Sequence, residues 1–273
     1  MAILKRKEYK PPVTIIIGIK CLKENGEGII ITCDSRTTDE AGYCNDLADK
    51  LHSVPFQDGN SVIVAEAGRA DFSSLAVETF TNLAANTKMQ DYRTAAECLG
   101  SAVARLKDKI REQQRGTSEE FQKYLADHSF ELMLAYYWGG KPYIFTLKLE
   151  AGLPVLEPAI YCAIGCGHVL ANFIISRVDM TRGFDTGAGM WLGAYAVEEI
   201  KKLDSRCGGK TRSATVEYKD NKSVSIVSPS DCPAMDEVIK EALDFADIQK
   251  RAWTHLIRDR IAEVIKNRNR TTN

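Results

Sequence analysis

Residues 13–19 read Val-Thr-Ile-Ile-Ile-Gly-Ile, an almost unbroken apolar run dominated by β-branched side chains. Branching at Cβ stiffens χ1 and favours extended backbone, and apolarity at successive positions leaves no solvent face. The run therefore predicts a strand buried on both sides. A sheet built around such a strand must be sandwiched between other layers. After turn chemistry at 23–28 (Lys-Glu-Asn-Gly-Glu-Gly), Ile29-Ile30-Ile31-Thr32-Cys33 repeats the same character, and the two segments form a hairpin.

Downstream, the hydrophobic period changes in blocks. Strands are expected at Lys50–Val54 and Ser61–Ala65. Phe72, Leu75, Ala76, Thr79, Phe80 and Leu83, then Ala95, Cys98, Leu99, Ala102, Val103, Leu106 and Ile110, recur at helical spacing. Strands return at Glu131–Tyr137 and Pro142–Leu149 around Gly139-Gly140. A second helix pair spans Val169–Val178 and Ala188–Leu203, and strands follow at Arg212–Tyr218 and Ser223–Val227 around Asp220-Asn221. A C-terminal helix is expected from Met235 to about Lys266. Paired strands followed by paired helices predict an α+β, four-layer αββα sandwich of two antiparallel sheets. A doubly wound nucleotide fold would instead alternate single strands and helices. Residues 14–273 read as one domain, with 235–268 a helical extension and 1–13 a leader or a misassigned start ending in Pro11-Pro12.

Composition narrows the function classes. With a formal net charge of -1 over 273 residues, nothing electrostatic points to nucleic acid or an anionic membrane as a partner. No apolar run approaches the roughly 20 residues that span a bilayer, and the start lacks a signal-peptide core. Eight cysteines without a CxxC pair read as reduced thiols, and a cytoplasmic location is expected.

Several polar residues stand where buried strands and turns would favour apolar ones. Thr14 opens the first strand, Asp34 and Arg36 close the second, Lys50 opens another, and Asp204 ends a helix before Ser205-Arg206-Cys207-Gly208-Gly209. Each alone has a bland explanation as a strand former, a solvated strand end or helix-ending chemistry. Cys162, Cys166 and His168 have an unusual spacing for zinc and lack a fourth ligand, which favours a core Cys162 and a helix-opening His168. Neither a cofactor nor a metal is called for.

Order and spacing change the weighting. Thr14-x3-Gly18, then Gly28-x5-Asp34-Ser35-Arg36, then Lys50 resembles the opening of proteasome β-type subunits, members of the N-terminal nucleophile (Ntn) hydrolase superfamily. Ala65-Glu66-Ala67-Gly68-Arg69-Ala70-Asp71 resembles that family's Ala-Gly-Gly-x-x-Asp turn. Ala163-Ile164-Gly165-Cys166-Gly167 resembles its Gly-Ser-Gly turn, and Asp204–Gly209 its Asp-x-x-Ser-Gly-Gly segment. No single motif is strong, but all fall in family order from Thr14 to about Val227.

The resemblance implies a threonine-type peptidase or amide hydrolase. Thr14 would supply the nucleophilic hydroxyl and, once residues 1–13 are removed, its own α-amino group as general base. Lys50 would assist deprotonation, Asp34 would hold Lys50, and backbone N–H groups near Ala67 and Gly68 would receive the oxyanion. Arg36, Cys166, Asp204, Cys207 and Gly208 would form the supporting shell. Peptide or unfolded protein is the implied substrate, and a homo-oligomer, as a ring or something smaller, the implied assembly. The resemblance leaves open an unfoldase partner.

This chain departs from the pattern in three ways. Cys166 and Cys207 replace serines, and a thiol is the weaker donor. Ala67 replaces a glycine, which negative φ would tolerate. Val13 replaces the glycine usual before a self-processing threonine, and its bulk hinders the acyl shift. A GTG start codon at Val13, read as methionine, would remove that obstacle. The alternatives are a catalytically silent structural subunit and a small-molecule Ntn amidase.

Overall fold

In a computed structural model, the described residues are 14–22, 27–38, 44–46, 48–114, 116–178, 183–229, 232–245, 247–248 and 251. The isoleucine run forms β1 (Ile15–Cys21) and its repeat β2 (Gly28–Asp34), and every residue of both is buried. They pair antiparallel from Ile16 opposite Cys33 to Cys21 opposite Gly28. Two short strands, β3 (Thr37–Thr38) and β4 (Cys44–Asn45), pair with each other. The chain continues through β5 (Leu51–Pro55), β6 (Ser61–Gly68), α1 (Ala70–Ala84), α2 (Thr94–Gln113), α3 (Ser118–Asp127), β7 (Phe130–Trp138), β8 (Lys141–Lys148) and β9 (Val155–Leu156). It then forms β10 (Tyr161–Gly165), α4 (His168–Ile175), α5 (Thr186–Leu203), β11 (Thr211–Lys219) and β12 (Lys222–Val227). Residues 233–245, 247–248 and 251 are helical, the described part of the expected C-terminal helix; the remainder of the 235–268 extension and the 1–13 leader lie outside the described residues.

Two five-stranded antiparallel sheets result, ordered β10-β1-β2-β11-β12 and β5-β6-β7-β8-β9. Between them lie Ile16, Ile29, Ile31, Ile63, Ala65, Met133 and Ala214. Ile15, Ile17, Ile19 and Ile30 face the opposite way, onto α4 and α5 through Ala171, Ile175, Leu192 and Val197. The second sheet is covered by α1, α2 and α3 through Phe80, Leu99, Val103 and Leu125. This is the expected αββα sandwich, and a fully buried Ile contributes about 1.5–3 kcal/mol. Gly18 lets the sheets close, because a Cβ there would lie 2.8 Å from the Met133 sulfur.

The sequence reading did not include α3 or the short strands β3, β4, β9 and β10. The buried residues of α3 are Phe121 and Leu125, too thin a stripe for periodicity to register. Its start is nonetheless written locally, as a capping box in which Thr117 and Glu120 satisfy each other's backbone N–H groups. The turns at Gly139-Gly140 and Asp220-Asn221 lie where expected, all four residues with positive φ, as tight hairpins require.

Candidate active site

Four elements converge on Thr14, which immediately precedes β1 and is fully buried. Asp34 ends β2, and its Oδ1 accepts from the Thr14 hydroxyl at 2.5 Å and from the Ile15 N–H at 3.1 Å. Lys50, just before β5, donates from Nζ to Thr14 Oγ1, to Asp34 Oδ1 at 2.9 Å and to the Arg36 carbonyl at 2.5 Å. The Lys50–Asp34 ion pair is almost inaccessible, with side-chain exposures of 4% and 0%. Such a pair persists in the interior only if its remaining lone pairs and protons are satisfied. Here they are: Asp34 Oδ2 accepts the Gly208 N–H at 2.8 Å.

The loop before β11 is shaped around this pair. The Arg36 guanidinium is fixed by Asp46, at 2.7 Å from Nε and 3.0 Å from Nη2, and by the Ser205 carbonyl at 3.1 Å. It lies flat over Gly208, where a Cβ would come within 2.2 Å of Arg36 Cζ. The absent side chain at 208 thus lets Arg36 pack against the loop while the backbone N–H points inward. Ser35 ties the same loop down, donating to the Asp46 carbonyl and accepting the Lys210 N–H at 2.8 Å.

The Thr14 backbone meets the β10–α4 turn. Its N–H donates to Cys166 Sγ at 3.4 Å, and the Cys166 thiol lies 3.2 Å from the Thr14 carbonyl. Gly165 has φ +88°, and a Cβ on it would sit 2.4 Å from the Thr14 carbonyl oxygen, so only glycine fits. Cys207 Sγ is 3.5 Å from Cys166 Sγ. The contact between the thiols draws the Cys166 pKa below its ordinary value and pushes that of Cys207 up, so Cys166 is the more acidic of the two. Asp204 grips Arg206 at 2.7 and 2.9 Å, and this holds its carboxyl below the usual range.

On the opposite side, β6 ends at Gly68 with φ +114°, where a Cβ would be 2.7 Å from Phe130 Cα. The Glu66 N–H donates to the Lys50 carbonyl at 3.0 Å. Alternation along the ladder sends the Gly68 N–H to that same side, beyond Lys50, and the Ala67 N–H toward β7. Ala67 is not among the positive-φ residues, so its methyl costs nothing here.

The alternative trio does not assemble. Cys162 is buried between the sheets, and the His168 ring nitrogen Nδ1 contacts the Gly165 carbonyl at 2.8 Å. Among the described residues, the cysteine and carboxylate groups that do approach one another are Cys166, Asp204 and Cys207.

No family model matches the chain, and no curated protein does. Solved structures do. Anbu from Hyphomicrobium sp. strain MC1 superposes with a TM-score of 0.65 at 14% identity, over 88% of this chain and 97% of that one. Anbu (ancestral beta-subunit) from Yersinia bercovieri gives 0.64 at 16%, with the same coverage. The helical assembly of the Anbu complex from Pseudomonas aeruginosa gives 0.64 at 12%, over 87% and 96%. This chain has the Anbu fold.

At such identities the likeness is one of architecture alone. Within the Anbu fold the chain brings Thr14, Asp34, Lys50, Arg36, Gly208, Cys166 and Cys207 together at one end of the sandwich. Sequence reasoning missed Asp46, which orients Arg36, and Glu131, whose carboxylate accepts the Gly165 N–H at 2.9 Å and steadies that turn. Glu131 had a signal: it is a charge inside the apolar run Phe130–Trp138. Asp46 had none. Among the described residues, no helix of this Anbu-fold chain is long and apolar enough to cross a membrane.

Proposed function

We propose that the chain is a subunit of a proteasome-like oligomer whose Thr14 centre hydrolyses amide bonds once Thr14 carries a free amine. The observation that carries the reading is the convergence of the Thr14 hydroxyl, the Lys50 ammonium and the Asp34 carboxylate in a buried cluster. An α-amine with an ordinary pKa of about 7.7–8.0 accepts the hydroxyl proton near neutrality. The Lys50 charge stabilises the developing alkoxide, and Asp34 fixes Lys50. Attack on an amide carbonyl gives an oxyanion for which the Gly68 N–H is the candidate donor. The protonated amine then passes its proton to the leaving nitrogen, and water releases the acyl group from Thr14.

Oligomerisation is supported by the apolar side chains left exposed on the outer helices. These are Val169 and Phe173 on α4 and Leu203 at the end of α5, 64%, 55% and 67% exposed. One related structure is a helical assembly of the Anbu complex.

A second reading, a silent structural subunit, is favoured by Val13. While Val13 is attached, the Thr14 nitrogen is an amide and no base. Protein started at Met-Thr14, with the methionine trimmed, separates the two readings. An epoxyketone or β-lactone adduct that is absent in Thr14→Ala supports hydrolysis. No Thr14-dependent adduct on trimmed protein of verified mass leaves the structural role.

A further inference from the structure

We infer that Cys166, Cys207 and Asp204 form a binding site for a thiophilic divalent cation such as Zn²⁺, beside the nucleophile, with the free Thr14 amine as fourth ligand. Their ligand atoms all lie within 4.8 Å of one another. A tetrahedral zinc with Zn–S bonds of about 2.3 Å and Zn–N bonds of about 2.0–2.1 Å separates two sulfurs by about 3.8 Å and sulfur from nitrogen by about 3.6 Å. The Cys166 and Cys207 sulfurs are 3.5 Å apart, and the Thr14 nitrogen is 3.4 Å from Cys166 Sγ. These two separations are within a few tenths of an ångström of what a cation needs, while the Asp204 oxygen, within 4.8 Å of both sulfurs, has up to about 1 Å to close. The two thiolates are soft donors that select zinc over magnesium or calcium, and zinc also accepts a carboxylate oxygen.

The charges also balance. Two thiolates, the Asp204 carboxylate, a divalent cation and the Arg206 guanidinium sum to zero, while Lys50 and Asp34 already neutralise each other. Both thiols release their protons to solvent on binding. Arg206 occupies Asp204 without the cation, but its side chain is 42% exposed, so it can swing outward or share the carboxylate. Cys207 and Cys166 stand at the end of the loop and in the turn that already position Asp34 and Thr14, so the ligands rest on rigid backbone.

The three-residue part stands on this geometry alone. The fourth ligand rests on the hydrolase reading and makes the cation an inhibitor, because a coordinated amine cannot accept the hydroxyl proton. While Val13 is attached, the amide nitrogen is no ligand, and the fourth position is left to water.

The test uses the full chain, reduced and stripped of metal, titrated with Co²⁺. Expected are thiolate-to-cobalt absorption in the near ultraviolet, visible bands of tetrahedral intensity, and displacement by Zn²⁺. Cys166→Ser and Cys207→Ser are near-isosteric and should each weaken the thiolate band and together abolish it, and Asp204→Asn should weaken binding at least tenfold while melting normally. Absence of the band, or a band that survives in the double serine variant, overturns the site. In trimmed protein, stoichiometric Zn²⁺ should block probe labelling of Thr14, and chelation should restore it. Labelling undiminished with the cation bound overturns the fourth ligand. Cobalt binding without any Thr14 labelling defeats the hydrolase reading and leaves the three-residue site standing; labelling without cobalt binding does the reverse.

Discussion

The backbone N–H of Gly208 lies 2.8 Å from the outer carboxylate oxygen of Asp34, across 174 positions of chain. This bond joins the loop before β11 to the end of β2 and holds a buried carboxylate that also accepts from Lys50, Thr14 and Ile15.

Lys50→Met should destabilise the protein by about 3–5 kcal/mol, because it leaves the Asp34 charge buried with its ion pair broken. Adding Asp34→Asn should recover a substantial part of the loss. Urea denaturation of the two single variants and the double variant measures this. Strict additivity would mean that the pair is not coupled.

Gly208→Ala places a methyl group into the Arg36 guanidinium and should cost about 1–3 kcal/mol. Arg36→Ala in the same chain removes the atoms it meets, so the double variant should melt above the Gly208→Ala single. If the double variant is instead the less stable, the clash is not with Arg36.

Gly165→Ala forces an unfavourable φ and drives a methyl group at the Thr14 carbonyl. On the hydrolase reading, displacing the nucleophile by about 1 Å should lower the rate of Thr14 labelling about 100-fold. Single-turnover labelling of trimmed protein reports it, and a wild-type rate would show that the turn does not position Thr14.

Burial pushes the Cys21, Cys33 and Cys162 thiols up to about 12 from an ordinary 9.0. Between those values the unfolded chain has lost protons that the folded chain keeps, so stability falls as pH rises. The contribution is fully present below pH 9 and is lost progressively up to about pH 12, each thiol contributing up to about 1.4 kcal/mol per pH unit. The urea midpoint should drop steeply from pH 8.5 to 10.5, and Cys33→Ala should flatten the decline. An equal slope in the variant would contradict burial as the cause.

The sequence by itself determined the sandwich. Isoleucines at consecutive positions 15–17 and 29–31 cannot be hidden by one layer, and helical periods around Phe80 and Val103 supply the cover. Local chemistry also fixed the turns at Gly139-Gly140 and Asp220-Asn221. Hydrophobic periodicity and turn preference act over a few residues, so they can be read along the chain. The named candidates Thr14, Asp34 and Lys50 were legible through the resemblance of their order and spacing to the opening of proteasome β-type subunits.

Only tertiary structure decided what those side chains touch. Arg36 proves to act through its carbonyl on Lys50 and through its guanidinium on Gly208, while its charge is matched by Asp46. Asp204 pairs with Arg206, and Cys166 and Cys207 meet although 41 positions separate them. Such contacts depend on sub-ångström placement by two sheets and two loops. That placement comes from long-range packing, to which no local pattern of residues corresponds.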